Sequence, residues 1–235
     1  MAKEHLSTQY DADLEEIRTR MLQMGGLVEE QITNALAGYA DGGNELLDRV
    51  KATEERVNQL EIELDDRCTH LIARRQPAAS DLRLVMAVVK SITDLERIGD
   101  EAAKIARIAR QMHERGIVHL PGFSDVRVAA NLASGMLKGA LDAFARIDAD
   151  AAQQIVMQDR HIDSEFRSLL RELITFMMED PRTISTALDI VWIAKALERV
   201  GDHAKNIAEY VIFVARGTDV RHTTTQGMPE STALG

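Results

Sequence analysis

One six-residue phrase occurs twice in the chain, Leu95-Glu96-Arg97-Ile98-Gly99-Asp100 and Leu197-Glu198-Arg199-Val200-Gly201-Asp202, with a single Ile-to-Val change between the copies. The duplication reaches well beyond the phrase. Displacing the chain by 105 places Ile32 on Leu137, Leu36 on Leu141, Tyr39 on Phe144, Val50 on Ile155 and Val57 on Ile162. The offset becomes 104 near Pro77 and Pro181 and 102 through the acidic phrases, so the small deletions fall where loops belong. Whatever one half folds into, the other half must fold into as well.

Within each half, apolar residues recur every three or four positions, as in Leu14, Ile17, Met21, Met24 and Val28, or Val50, Val57, Leu60 and Leu64. That recurrence is the stripe of an amphipathic helix. Aromatic residues make up 4% of the chain and prolines number four, and such a composition favours helix over sheet. Breaks at Asp41-Gly42-Gly43-Asn44, Gln76-Pro77, Asp148 and Asp180-Pro181 cut each half into three helices, predicted at 9–39, 44–75, 79–114, 124–146, 148–178 and 182–216. The expected fold is all-α, two tandem and structurally similar three-helix bundles built from six long helices. The first bundle is expected over 1–116 and the second over 117–216, with Gly116 to Phe123 as the link. The polar, unperiodic stretch 217–235 reads as a disordered tail.

Charge and cysteine usage narrow the function. A formal charge of −10 without a gathered basic patch argues against direct nucleic-acid binding. Cys68, the single cysteine, excludes an intrachain disulfide and a cysteine-held zinc, and its apolar neighbours predict a buried, inert thiol. No run of 18 apolar residues occurs and the first twenty residues carry no apolar signal-peptide core, so the expectation is a soluble cytoplasmic protein without membrane insertion.

Each phrase sets a Glu and an Asp four residues apart, which puts both carboxylates on one face of a helix. Glu96 and Asp100 fall at the edge of a core line through Val88, Ile92, Leu95, Ala102 and Ile105, beside Val85, Val89 and Ala103. A carboxylate so placed needs a cation, a donor or a proton. Hard oxygen ligands suit Mg, Ca, Mn or iron. The candidate metal ligands are therefore Glu96, Asp100, Glu198 and Asp202, for a divalent or trivalent ion such as iron, Mg, Mn, Ca or Zn. One pair supplies too few ligands, so water, another helix or the other half must contribute. The plain alternative is a solvated charged face. Asp94 points to the opposite face and is left out of the site.

Gly99 and Gly201 stand in helix interiors, where Gly costs about 1 kcal/mol relative to Ala. The economical explanation is a helix crossing too close for a Cβ. Arg97 and Arg199 lie three residues before Asp100 and Asp202, within reach of an intrahelical pair. His203 stands where the first copy has Glu101, and is expected to face solvent or a partner. Trp192, matched to Lys90, is expected at an interface or in the core. No catalytic residue emerges. The chain has no Walker-type loop, nucleophile elbow or His-Glu-x-x-His, and none of its seven histidines completes a Glu-x-x-His.

Gln76-Pro77-Ala78-Ala79-Ser80-Asp81-Leu82-Arg83, the two acidic phrases, and Asn206-Ile207-Ala208-Glu209 together resemble the PhoU family, over about residues 9–216. The resemblance implies two three-helix bundles. It also implies a metal motif, Glu(or Asp)-x-x-x-Asp, which falls on Glu96 with Asp100 and on Glu198 with Asp202. For function it implies negative control of phosphate uptake and of the phosphate-starvation response. The chain would act as a non-enzymatic adaptor between the ATPase subunit of the high-affinity phosphate transporter and a sensor histidine kinase. It would pack as a homodimer in the cytoplasm, reaching the inner face of the membrane only through its partners. Glu101 in one copy against His203 in the other would make the two sites unequal. The rival reading is a carboxylate-rich metal-storage or hydrolase bundle.

Overall fold

The computed structural model describes residues 2–117 and 123–218. Helix α1 spans Ala2–Asp41, α2 Asn44–Arg75, α3 Ala79–Glu114, α4 Phe123–Arg146, α5 Ala149–Glu179 and α6 Ile184–Arg216, with a 3-10 turn at Pro181–Thr183 leading into α6. No strand occurs among the described residues. Two boundaries differ from the sequence reading. Helix α1 begins at Ala2 rather than 9, since nothing in the polar stretch before Tyr10 breaks a helix. The first turn after Pro181 is 3-10, its Arg182 N–H taken by the Asp180 carboxylate at 3.0 Å. The expected tail from 219 onward and the middle of the link, 118–122, lie outside the described residues.

The helix ends follow local chemistry. Gln76 ends α2 in the left-handed region at φ 47°, ahead of Pro77, which disfavours helical geometry in the residue before it. Asp148 caps α5 by accepting from the Ala151 N–H at 3.0 Å. Gly217 closes α6 at φ 71°, where a side chain would be strained.

Helices α1, α2 and α3 pack on one another, α4, α5 and α6 do the same, and the two lobes meet chiefly where α3 lies on α6, with a smaller contact of α1 on α4. The predicted apolar stripes face inward. Met21, Met24, Ile32, Leu64, Ile92, Leu95, Ile98 and Ile105 fill the first lobe, and Met136, Leu137, Phe144 and Ile162 the second, all essentially without exposure. Each such side chain contributes about 1.5–3 kcal/mol relative to an exposed one. Cys68 is fully buried, as predicted.

The interior glycines mark where the three helices of each lobe come closest. A Cβ on Gly99 would stand 3.1 Å from Gln31 Oε1 of α1 and 3.5 Å from Val57 of α2. One on Gly201 would stand 3.1 Å from two carbons of Ile162 in α5 and 3.7 Å from Met136 in α4. Gln31 matches Met136, and Val57 matches Ile162, at the same offset of 105. The doubled sequence has thus produced the doubled crossing. In the first lobe the buried Gln31 amide also donates to the Gly99 carbonyl at 3.2 Å. Among the described residues no helix is long and apolar enough to cross a membrane.

Candidate functional site

The crossings at Gly99 and Gly201 bring acids from neighbouring helices to the pairs on α3 and α6. In the first lobe Glu96 is half-buried and Asp100 reaches solvent. Burial, then Asp100 and Glu61, push the Glu96 carboxyl above its ordinary range. Burial, then Asp100, does the same to Glu54. Four carboxylates, Glu54 and Glu61 from α2 with Glu96 and Asp100 from α3, therefore share one field. In the second lobe burial, followed by Glu198, Asp159 and Asp163, pushes Asp202 up to about 6. Asp202 opens to water along one side, which blunts the burial part.

Glu54, Glu61, Asp159 and Asp163 were missed by the reading of the acidic phrases. A signal for two of them existed. Glu54 and Asp159 match at the offset of 105 that aligns Val57 with Ile162, so the acids of α2 and α5 repeat with the core positions beside them.

Cations treat the two clusters differently. In the second lobe Lys205 Nζ donates to Asp159 Oδ2 at 2.6 Å, and Lys195 donates to Glu198. Burial works against the Lys205 ammonium, but Asp159, Glu209 and Asp202 outweigh it and raise its pKa. Lys195 also lies 5.4 Å over the Phe166 ring. In the first lobe the described residues include no lysine or arginine ion-paired with Glu54, Glu61, Glu96 or Asp100. Thr93 donates weakly to Glu61 at 3.5 Å. Arg107 and Lys51 act on Glu54, and Arg97 and His203 on Glu96, without pairing. Glu54, Asp100 and Glu101 line a groove on α2 and α3 that also holds Lys51, Lys104, Arg107, Arg110 and, from α6, Arg199.

The seam between the lobes overturns two local expectations. Arg199 does not pair within its helix. Its Nη1 donates to Glu101 of α3 at 2.8 Å. His203 turns into the seam rather than to solvent, its Nδ1 meeting Asp94 of α3 at 2.7 Å. Trp192 is 53% exposed, with the Lys104 ammonium 5.6 Å from its ring centroid. All three lie on the α6 surface that turns toward α3, a surface that helix periodicity alone cannot tell from a solvated one. Exchanging the two copies carries Glu101 onto His203 and Arg199 onto Arg97, so the mate of the Arg199–Glu101 pair would set two donors against each other. Arg97 is accordingly exposed, and His203 bonds Asp94, which is buried away from both acidic clusters.

As they stand, no three His, Cys, Asp or Glu side chains among the described residues converge at coordination distance.

The PhoU domain model matches this chain twice, over residues 21–109 and 126–211, one match in each lobe. The chain belongs to the PhoU family. A relative from Pseudomonas putida, named a phosphate-specific transport system accessory protein PhoU homolog, is 50% identical over 93% of this chain and 85% of its own length. The phosphate-specific transport system accessory protein PhoU of Escherichia coli K12 is 41% identical over 93% of this chain and 90% of its own. The crystal structure of PhoU from Pseudomonas aeruginosa superposes with a TM-score of 0.86 at 48% identity, covering 89% of this chain and all of that one. The phosphate transport system regulatory protein PhoU from Streptococcus pneumoniae gives a TM-score of 0.82 at 30% identity, over 90% and 99%. The two PhoU domains coincide with the two copies of the repeat and with the two lobes of the fold.

Proposed function

We propose that this PhoU-family chain is a non-enzymatic regulator of phosphate transport that restrains phosphate uptake and the phosphate-starvation response. It would do so by bridging the ATPase subunit of the high-affinity phosphate transporter and a sensor histidine kinase at the cytoplasmic face of the membrane. The supporting observation is the match of both lobes to relatives named as accessory proteins of phosphate-specific transport. Two lobes that meet along α3 and α6 offer separate surfaces for two partners, and helix-to-groove contacts need no catalytic chemistry.

The experiment is deletion of the gene, with phosphate-regulated transcription measured in high phosphate. Derepression, reversed by the wild-type chain, is expected, and repression that survives deletion in a strain with no second copy refutes the reading. A pull-down from cells grown with and without phosphate should recover the ATPase subunit or the kinase.

A second reading concerns the acids themselves. The carboxylate sets around Glu96 with Asp100 and Glu198 with Asp202 fit a hard cation in donor chemistry. Burial, then the neighbouring Asp100, raises the Glu54 and Glu96 carboxyls above their ordinary range, and a divalent ion would relieve that repulsion. In this role the metal is structural, fixing α2 to α3. The rival of a metal-storage or hydrolase bundle predicts turnover abolished by Glu96→Ala or Glu198→Ala, whereas the regulator predicts no turnover in any variant.

A further inference from the structure

The groove on α2 and α3 has no twin in the other lobe. Leu47, Val50 and Ala106, all buried, give it an apolar floor, and it encloses about 590 Å³. Where the first lobe sets Lys51, Arg107 and Arg110 around that floor, the second has Val156, Glu209 and Ile212 at the matching positions. Glu209 and Ile212 are buried there, and Val156 packs against the core. The repeat can therefore close this face, yet the first lobe keeps it open behind a cationic wall.

On a chain of formal charge −10, five cations in the groove stand against three acids. Lys104 and Arg199 share Glu101, and Arg110 pairs with Asp48. Lys51 and Arg107 are exposed and make no ion pair among the described residues. An apolar strip runs alongside. Trp192 lies seven residues before Arg199, two turns away on the same face of α6, and Lys104 ties its ring to the groove. Leu188 and Ile184, one and two turns further back, are exposed as well. An exposed Trp in line with two large aliphatic side chains, bordering a cationic groove, has the make-up of a binding face rather than of a solvated one.

A ligand for this surface must satisfy both parts of it. A compact polyanion would meet Glu54, Asp100 and Glu101 among the cations and would leave the strip on α6 uncovered. An amphipathic helix carries its carboxylates one turn apart, so that they can step between those acids, and it brings an apolar stripe of its own. We propose that the cationic groove of the first lobe, together with Leu188 and Trp192, is the docking site for an acidic amphipathic helix of another protein. The acids of that helix answer Lys51 and Arg107, and its apolar side chains cover Trp192. The second lobe, filled at the matching face, offers no such site. The partner need not belong to phosphate transport for the site to stand.

The test uses the full chain in cells grown with and without phosphate, with the photo-crosslinker p-benzoylphenylalanine in place of Trp192 or, as a control, of the exposed Arg171 on α5. An adduct is expected from position 192 and not from 171, and mass spectrometry should place it on a segment whose Asp and Glu recur every three or four residues beside an apolar stripe. K51E/R107E should lower its yield at least about tenfold, and changing the captured segment's acids to Lys should restore it. Circular dichroism of K51E/R107E should match wild type, and R107E alone serves if it does not. No adduct, an adduct on a second copy of this chain, one on a segment without the acidic pattern, or one indifferent to the charge reversals overturns the proposal. Trp192, the sole tryptophan, reports on rival ligands in the purified chain. Saturable micromolar quenching by sodium tripolyphosphate or by phosphatidylglycerol vesicles, lost in K51E/R107E, would give the groove to a phosphate-bearing ligand and overturn the proposal too. An acidic helix captured from a protein foreign to phosphate transport upholds the docking site and counts against the regulator alone.

Discussion

His203 of α6 donates its Nδ1–H to Asp94 Oδ1 of α3 at 2.7 Å, and the same oxygen accepts from Asn206 at 3.1 Å. A carboxylate can only accept, so the proton must lie on Nδ1. Asp94 is 6% exposed, and truncating it leaves two donors unanswered in the lobe seam. Asp94→Ala is expected to lower stability by about 2 kcal/mol. His203→Ala should cost less, with a coupling of about 1 kcal/mol in a double-mutant cycle read by urea unfolding. Additive effects of the two substitutions would show that the bond carries no share of lobe docking.

Gly201→Ala pits helix propensity against packing. Propensity favours Ala by about 1 kcal/mol, but the new methyl would stand 3.1 Å from both Cδ1 and Cγ2 of Ile162, a fully buried β-branched residue with little room to turn. Overpacking of this kind costs about 1–3 kcal/mol. The variant is expected to unfold at lower urea than wild type, and a rise in the midpoint would mean that α5 and α6 separate more easily than the crossing implies.

Cys68 should behave as a reporter of unfolding. Burial, with a smaller push from Asp65, raises its thiol to about 12, and only the thiolate reacts readily. Native protein at pH 8 is expected to resist an aromatic disulfide reagent, with labelling appearing along the same urea curve as loss of helical circular dichroism. Labelling well below that transition would reveal local opening of α2.

Glu29 supplies a pH test away from the acidic clusters. Burial raises its carboxyl, Asp142 across the α1–α4 contact adds to the rise, and Lys138 opposes it. The folded chain therefore binds this proton more tightly than the unfolded chain, so ionised Glu29 disfavours folding at neutral pH, and the penalty fades as pH falls through the raised value toward the ordinary one. Glu29→Gln should stabilise the protein at pH 7.5 by less than about 1 kcal/mol. The gain should shrink on acidification toward pH 4, as read from thermal midpoints across a pH series. A gain that grows in acid would reverse the assigned sign.

Much of the fold was legible because it rests on local signals. Gln76-Pro77 stops α2, Asp148 caps α5, and the three-and-four spacing of Met21, Met24 and Val28 marks a buried face. Gly99 and Gly201 betrayed close crossings because nothing else explains a costly residue retained twice in helix interiors. Less of the site was legible. Angular counting put Glu96 and Asp100 on one flank, yet could not bring Glu54 or Glu61 to them, since those acids sit on another helix. His203 misled for the same reason, its bond to Asp94 spanning more than a hundred residues of chain.

The sequence by itself determined the doubling, the six helices, most of their ends and the face of each helix that turns inward, because each depends on residues within a few turns of one another. Only the tertiary structure decided that α3 lies on α6, that Arg199 reaches Glu101 rather than Asp202, and that Lys195 and Lys205 answer one acidic cluster and not the other. A helix carries a side chain to a known angle about its own axis. What stands opposite is set by how the helices pack, and packing is a property of the whole core.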